Sequence, residues 1–114
     1  MKVYISGAIS NLPREGVKAK FDNAALSIVS AGHTPVSPLD NGIDPDAPWE
    51  DHMSVDLPTL LKCDAVLFLN DWQTSRGARV ELAVASEARK KLFVMVGEHR
   101  FAPVTNVKYK HLID

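Results

Sequence analysis

The chain has 114 residues, 46% of them hydrophobic and 24% charged, with a net charge of -1. That is enough for one domain spanning residues 1–114 with one real core, and not for two. The balanced charge and the lack of a basic run give no support to nucleic-acid or anionic-membrane binding, and no stretch approaches the roughly 20 apolar residues of a membrane span.

Residues 3–6 form a short apolar run that ends at Gly7 and read as a first strand; the run is too short for a signal peptide. A loop follows over 7–13, marked by Gly7, Asn11 and Pro13. Residues 14–31 are expected to be helical, with Phe21, Ala24, Ala25, Ile28 and Val29 on one face and Gly32 as the stop. Residues 34–37 read as a weak second strand, limited by Pro35 and Pro38. The stretch 38–48 holds three Pro and three Asp and is a long loop, a candidate for function. A second helix over 49–62 presents Met53, Leu57, Leu60 and Leu61. Pro58 inside it removes a backbone hydrogen bond, so a kink or restart near Asp56 is expected. Residues 64–70 contain the unbroken run 65–69, which suits a central parallel strand. A third helix over 76–89 is expected, capped by Thr74 or Ser75. Residues 92–96 read as a fourth strand, 104–109 as a short edge strand and 111–113 as a last turn.

Strands alternating with helices imply an α/β fold with a parallel sheet of four or five strands. Ligands of such sheets bind beyond the carboxyl ends of the strands, which gathers the loops 7–13, 38–48 and 71–75.

One residue conflicts with its surroundings. Glu81 shares a helical face with Val84, Ala85 and Ala88, at spacings of three, four and seven. A glutamate on a packing face is solvated, paired or put to use, because burying it unpaired costs several kcal/mol or shifts its pKa. Topology puts it at the ligand end of the sheet. Ser75 and Gly77 lie just before it, at a helix start whose free N–H groups attract anions. A serine cap and a tolerated glycine are the plain alternative. Asp56 also falls on an apolar face, between Met53 and Leu60, and either serves the site or caps a restarted helix. Arg76 is well placed to meet a phosphate, or is solvated. Gly7 permits close approach of a ligand, or is a turn; neither a dinucleotide fingerprint nor a Walker loop accompanies it. His33, His52, His99 and His111 are scattered and no Cys-x-x-Cys occurs, so no metal or other cofactor is expected. The single cysteine, Cys63, excludes an intrachain disulfide, fits a reducing compartment and reads as core; a cytoplasmic location is expected.

The segments Tyr4-Ile5-Ser6-Gly7-Ala8-Ile9, Asp56-Leu57, Cys63-Asp64-Ala65-Val66 and Trp72-x-x-Ser75-x-Gly77-Ala78-x-x-Glu81 resemble the nucleoside 2-deoxyribosyltransferase superfamily. Within it the chain is most similar to the short DUF4406 proteins and is related to the 2'-deoxynucleoside 5'-phosphate N-hydrolases, over about residues 3–96. The resemblance implies a flavodoxin-like three-layer sandwich and cleavage or transfer of the N-glycosidic bond of a (deoxy)nucleoside or its 5'-monophosphate. It implies Glu81 as nucleophile, Asp56 as acid-base or sugar-hydroxyl partner and Tyr4 as a positioning group. It implies Gly7, Ala8 and Ile9 along the nucleotide pocket, and Ser75, Arg76 and Gly77 around the 5'-phosphate or 5'-hydroxyl. It further implies a small-molecule nucleoside or nucleotide as partner and a homodimer or larger homo-oligomer. Two departures stand out: Ala8 and Ser10 occupy positions where the hydrolases carry a phosphate-gripping serine and arginine. A non-catalytic nucleotide or nucleotide-sugar binding protein on the same fold therefore stays open beside the enzyme.

Overall fold

The computed structural model describes residues 1–104. Five strands, β1 (Lys2–Ser6), β2 (Thr34–Val36), β3 (Ala65–Phe68), β4 (Lys91–Met95) and β5 (Phe101–Pro103), form one sheet in the order β2-β1-β3-β4-β5. The first four are parallel and β5 runs antiparallel to β4. The expected all-parallel sheet thus gains an antiparallel edge. It lies at 101–103; apart from Val104, the edge strand expected at 104–109 and the last turn expected at 111–113 lie outside the described residues. Pro103 has no N–H to donate, which an edge strand tolerates.

Three helices, α1 (Arg14–Ser30), α2 (Trp49–Leu61) and α3 (Arg76–Glu87), cover the sheet. Side chains alternate across a strand. Val3 and Ile5 of β1 therefore join Ala65 and Leu67 of β3 in packing on Val17, Phe21, Ala24 and Ile28 of α1. On the opposite face Tyr4, Val66 and Phe68 pack with Leu60 of α2 and Ala78, Leu82 and Ala85 of α3. Cys63 is buried in that second cluster, its Sγ 3.4 Å from the carbonyl of Thr59. Two residues expected on packing faces, Val29 and Leu61, are exposed instead.

Pro58 does not break α2. The carbonyl it leaves without a donor is that of Ser54, which is exposed with Pro58, so water can satisfy it. Asp56 therefore sits inside a continuous helix and caps nothing. Helix α1 stops as expected at Gly32, φ 86°, with His33 N–H donating to the Ile28 carbonyl and Gly32 N–H to that of Val29. Helix α3 ends in the same way, but its left-handed residue is Arg89, φ 59°. A non-glycine residue there carries a steric cost that outweighs the extra flexibility glycine brings to the unfolded chain. Arg89→Gly is expected to raise the unfolding free energy by about 0.5–1 kcal/mol, read from urea denaturation.

In this strand order the chain reverses direction at β1, and the loops beyond the carboxyl ends of β1, β2 and β3 meet there.

Candidate active site

Tyr4 and Ser6 are two apart on β1, so both face α3. Glu81, one turn into α3, meets them. The Tyr4 hydroxyl donates to Oε2 of Glu81 at 2.5 Å and the Ser6 hydroxyl donates to Oε1 at 2.7 Å. Both lengths belong to the short, charge-assisted class of O–H···O⁻ bonds. Tyr4 and Ser6 are fully buried and Glu81 is 5% exposed. The oddity in the sequence is thus resolved as pairing: the carboxylate on the packing face has a donor for each oxygen. Ser6 was not among the residues singled out from the sequence. The signal that could have found it is the period-two alternation that aligns it with Tyr4.

Burial is the main force on the Glu81 carboxyl. It raises its pKa to about 7, against the opposing pull of the Tyr4 and Ser6 hydrogen bonds, and the nearby Asp56 charge raises it further. Tyr4 is held far above the usual phenol range, by burial first and then by the charges of Glu81 and Asp56, so it keeps its proton and remains a donor.

Asp56 is 6% exposed and its carboxyl is also pushed upward by burial, opposed by a hydrogen bond from Asn41 and the proximity of His52. Asp56 and Tyr4 line a cleft of about 350 Å³ together with Val36, Ser37, Asn41 and Thr59. That volume is at the small end of the range for small-molecule sites. Glu81 stands behind Tyr4 rather than on the cleft wall.

The other candidate residues occupy two flanks. A Cβ on Gly7 would lie 2.8 Å from Cδ1 and 3.0 Å from Cβ of Leu69, so packing against β3's end already requires glycine. Ala8 donates its N–H to Asp71 Oδ1 at 3.1 Å, and its carbonyl accepts from Lys20 Nζ at 2.7 Å. Lys20 in turn pairs with Asp71 at 2.5 Å. This clip holds the β1–α1 loop to α1 and to the β3–α3 loop, and neither Lys20 nor Asp71 was anticipated. Ile9 is exposed. On the other flank, Ser75 caps α3 by accepting from Ala78 N–H at 3.1 Å, which leaves its own hydroxyl proton to donate. Gly77 forms a seam with α2, since a Cβ there would lie 3.4 Å from Trp49 Nε1 and 3.5 Å from Met53 Sδ. The Arg76 guanidinium stacks on the Trp49 ring, 3.8 Å from its centroid. Arg14 is paired with Asp46 of the β2–α2 loop at 2.6 Å, on the surface.

A smaller cavity, about 130 Å³, lies on the α1 side among Lys20, Asn23, Asp71 and Glu98. It has room for a few waters rather than a nucleotide, and Tyr4, Asp56 and Glu81 do not line it. Among the described residues no helix is long and apolar enough to cross a membrane.

Several solved structures share this fold. A CMP N-glycosidase from Clostridium botulinum is 17% identical with a TM-score of 0.61, over 99% of this chain and 82% of that one. A 2-desoxiribosyltransferase from Leishmania mexicana is 18% identical with a TM-score of 0.63, over 89% of this chain and 77% of that one. At such identities the likeness concerns the fold, which is the deoxyribosyltransferase-like one that the sequence motifs imply. No curated protein sequence matches the chain. A family model matches residues 1–94, and on that match the chain belongs to the family described as "Domain of unknown function (DUF4406)".

Proposed function

We propose that the protein cleaves or transfers the N-glycosidic bond of a (deoxy)nucleoside or nucleoside 5'-monophosphate, with Glu81 as nucleophile. The observation that carries this reading is a buried glutamate held by two hydroxyl donors, with a second buried carboxyl, Asp56, on the wall of the adjoining cleft. Two carboxyl groups in unlike environments are what retaining glycosidic chemistry requires. The fold shared with a CMP N-glycosidase and a 2-desoxiribosyltransferase supports the same bond class.

In this mechanism an ionised Glu81 oxygen attacks the anomeric carbon of the sugar. The bond from that carbon to the base nitrogen breaks, and its electron pair leaves with the base. Asp56, whose raised pKa favours the protonated form, donates a proton to the departing base or holds a sugar hydroxyl. Tyr4 and Ser6 fix the direction of the attacking carboxylate. Water or a second base then takes the sugar from Glu81. The Ser75 hydroxyl and the Arg76 guanidinium supply the 5' end of the substrate with a donor and a cation, and Gly77 lets the helix start come close. Gly7, Ala8 and Ile9 border the base.

The test is to incubate the purified protein with the common deoxynucleosides, their 5'-monophosphates and CMP, and to measure free base by chromatography. Release from a member of this panel is expected; silence across all of it rejects the enzyme. A second reading, nucleotide binding without turnover, draws on the 5% exposure of Glu81 and its place behind Tyr4. It requires calorimetric binding that is unaltered in Glu81→Gln, together with no released base.

The protonation state of Glu81 sets the pH dependence. Attack needs the carboxylate, so kcat/KM is expected to rise with pH and reach half its plateau near about 7. Ser6→Ala removes one donor to the charged form. Its acid limb is expected to move upward by about one pH unit, measured as the pH profile of kcat/KM.

A further inference from the structure

The loop between β2 and α2 reaches the cleft wall through Asn41. The Asn41 amide oxygen accepts from the Ile43 N–H at 2.9 Å, which fixes the orientation of the amide and turns its NH2 group toward α2. That nitrogen lies 3.0 Å from Oδ1 of Asp56 and 3.1 Å from Nδ1 of His52. Asp56 is therefore held on one oxygen only. Its Oδ2 receives no hydrogen bond from the described residues, although the side chain is 6% exposed. A buried carboxyl oxygen without a donor is costly unless something else occupies it, and this one belongs to a residue of the cleft wall. Asn41 of the loop and His52 of α2 act on Asp56, and the Asp56 charge in turn acts on Tyr4 of β1 and Glu81 of α3.

We infer that Asn41 is a positioning residue: by holding Oδ1 of Asp56 it leaves the other oxygen to a hydroxyl of the bound sugar. The consequence for turnover rests on the N-glycosidic reading above, whereas the grip on Asp56 does not. The loop thereby sets the direction of the second carboxyl.

Two variants separate this role from mere loop folding. Asn41→Asp keeps an oxygen for the Ile43 N–H, and so the turn, but loses the donor to Asp56. Asn41→Ala loses both. The experiment measures kcat and KM on whichever member of the base-release panel the wild type turns over, for both variants, for Asp56→Asn and for the double variant Asn41→Ala/Asp56→Asn. It also follows the Asp56 carboxyl by carbon-13 NMR titration in the wild type and in Asn41→Ala. Each Asn41 variant is expected to lower kcat/KM about ten- to a hundredfold, with no further loss when Asn41→Ala is added to Asp56→Asn. The Asp56 titration is expected to move to higher pH in Asn41→Ala. Fully additive losses in the double variant, or an Asp56 titration that does not move, would overturn the proposal. If the wild type releases no base, the enzymatic reading fails on its own. The NMR titration then decides the role of Asn41: a shift supports it and no shift overturns it.

Discussion

Glu81→Ala is expected to lower the rate of base release by about four orders of magnitude or more, with KM changing far less. A covalent nucleophile cannot be replaced by its neighbours, and removal of such a group elsewhere costs factors of this order. Asp56 does not take its place between Tyr4 and Ser6, because it comes from α2 and is held separately by Asn41. Tyr4 does not replace it either, since it keeps its proton. The check is single-turnover base release in wild type and variant, with circular dichroism confirming that both are folded. A loss of less than tenfold would remove Glu81 from the role of nucleophile.

The same residue is expected to weaken the fold above neutral pH. The Glu81 carboxyl has an ordinary pKa of 4.5 and one of about 7 in the folded protein. Between these values the folded state holds a proton that the unfolded state has released. The contribution of Glu81 to stability is therefore fully present below about 4.5 and is lost as pH rises through about 7. A gap of that size corresponds to about 3 kcal/mol. Glu81→Gln has nothing to ionise, and the Tyr4 and Ser6 hydroxyls can turn to suit an amide. The variant is expected to be more stable than the wild type at pH 8 by about 2–3 kcal/mol and to lose most of that advantage near pH 4.5. Urea melts across this pH range measure it. A parallel pH dependence in the two proteins would show that Glu81 ionises normally in the fold.

The residues of the site that the sequence made legible are those on regular elements. Glu81 and Asp56 stand out because a carboxylate breaks an apolar helical face, and that signal survives without knowledge of the tertiary structure. Tyr4 was reached through the motif resemblance, although the alternation along β1 would have delivered Ser6 with it. The residues that sequence reasoning missed come mostly from loops and long side chains. Asn41 acts through a turn with Ile43, and Lys20 joins Asp71 across 51 positions. Neither is written in a local period. The reading of Asp56 as a cap failed because Pro58 sits where its missing hydrogen bond faces water, so the helix continues. The edge strand Phe101–Pro103 escaped the sequence reading because a three-residue stretch that ends in proline carries little strand signal. For Gly7 the sequence leaves ligand approach and a turn open, and the contact of its backbone with Leu69 adds a packing reason for glycine that no local pattern carries.

The central claim is a covalent bond between Glu81 and the sugar. The direct measurement is mass spectrometry of protein quenched in acid during turnover of a deoxynucleotide that releases its base. The account requires a deoxyribosyl, or deoxyribosyl phosphate, adduct on the peptide that carries Glu81, absent from Glu81→Gln. Base release at full rate with the adduct on another residue would contradict it.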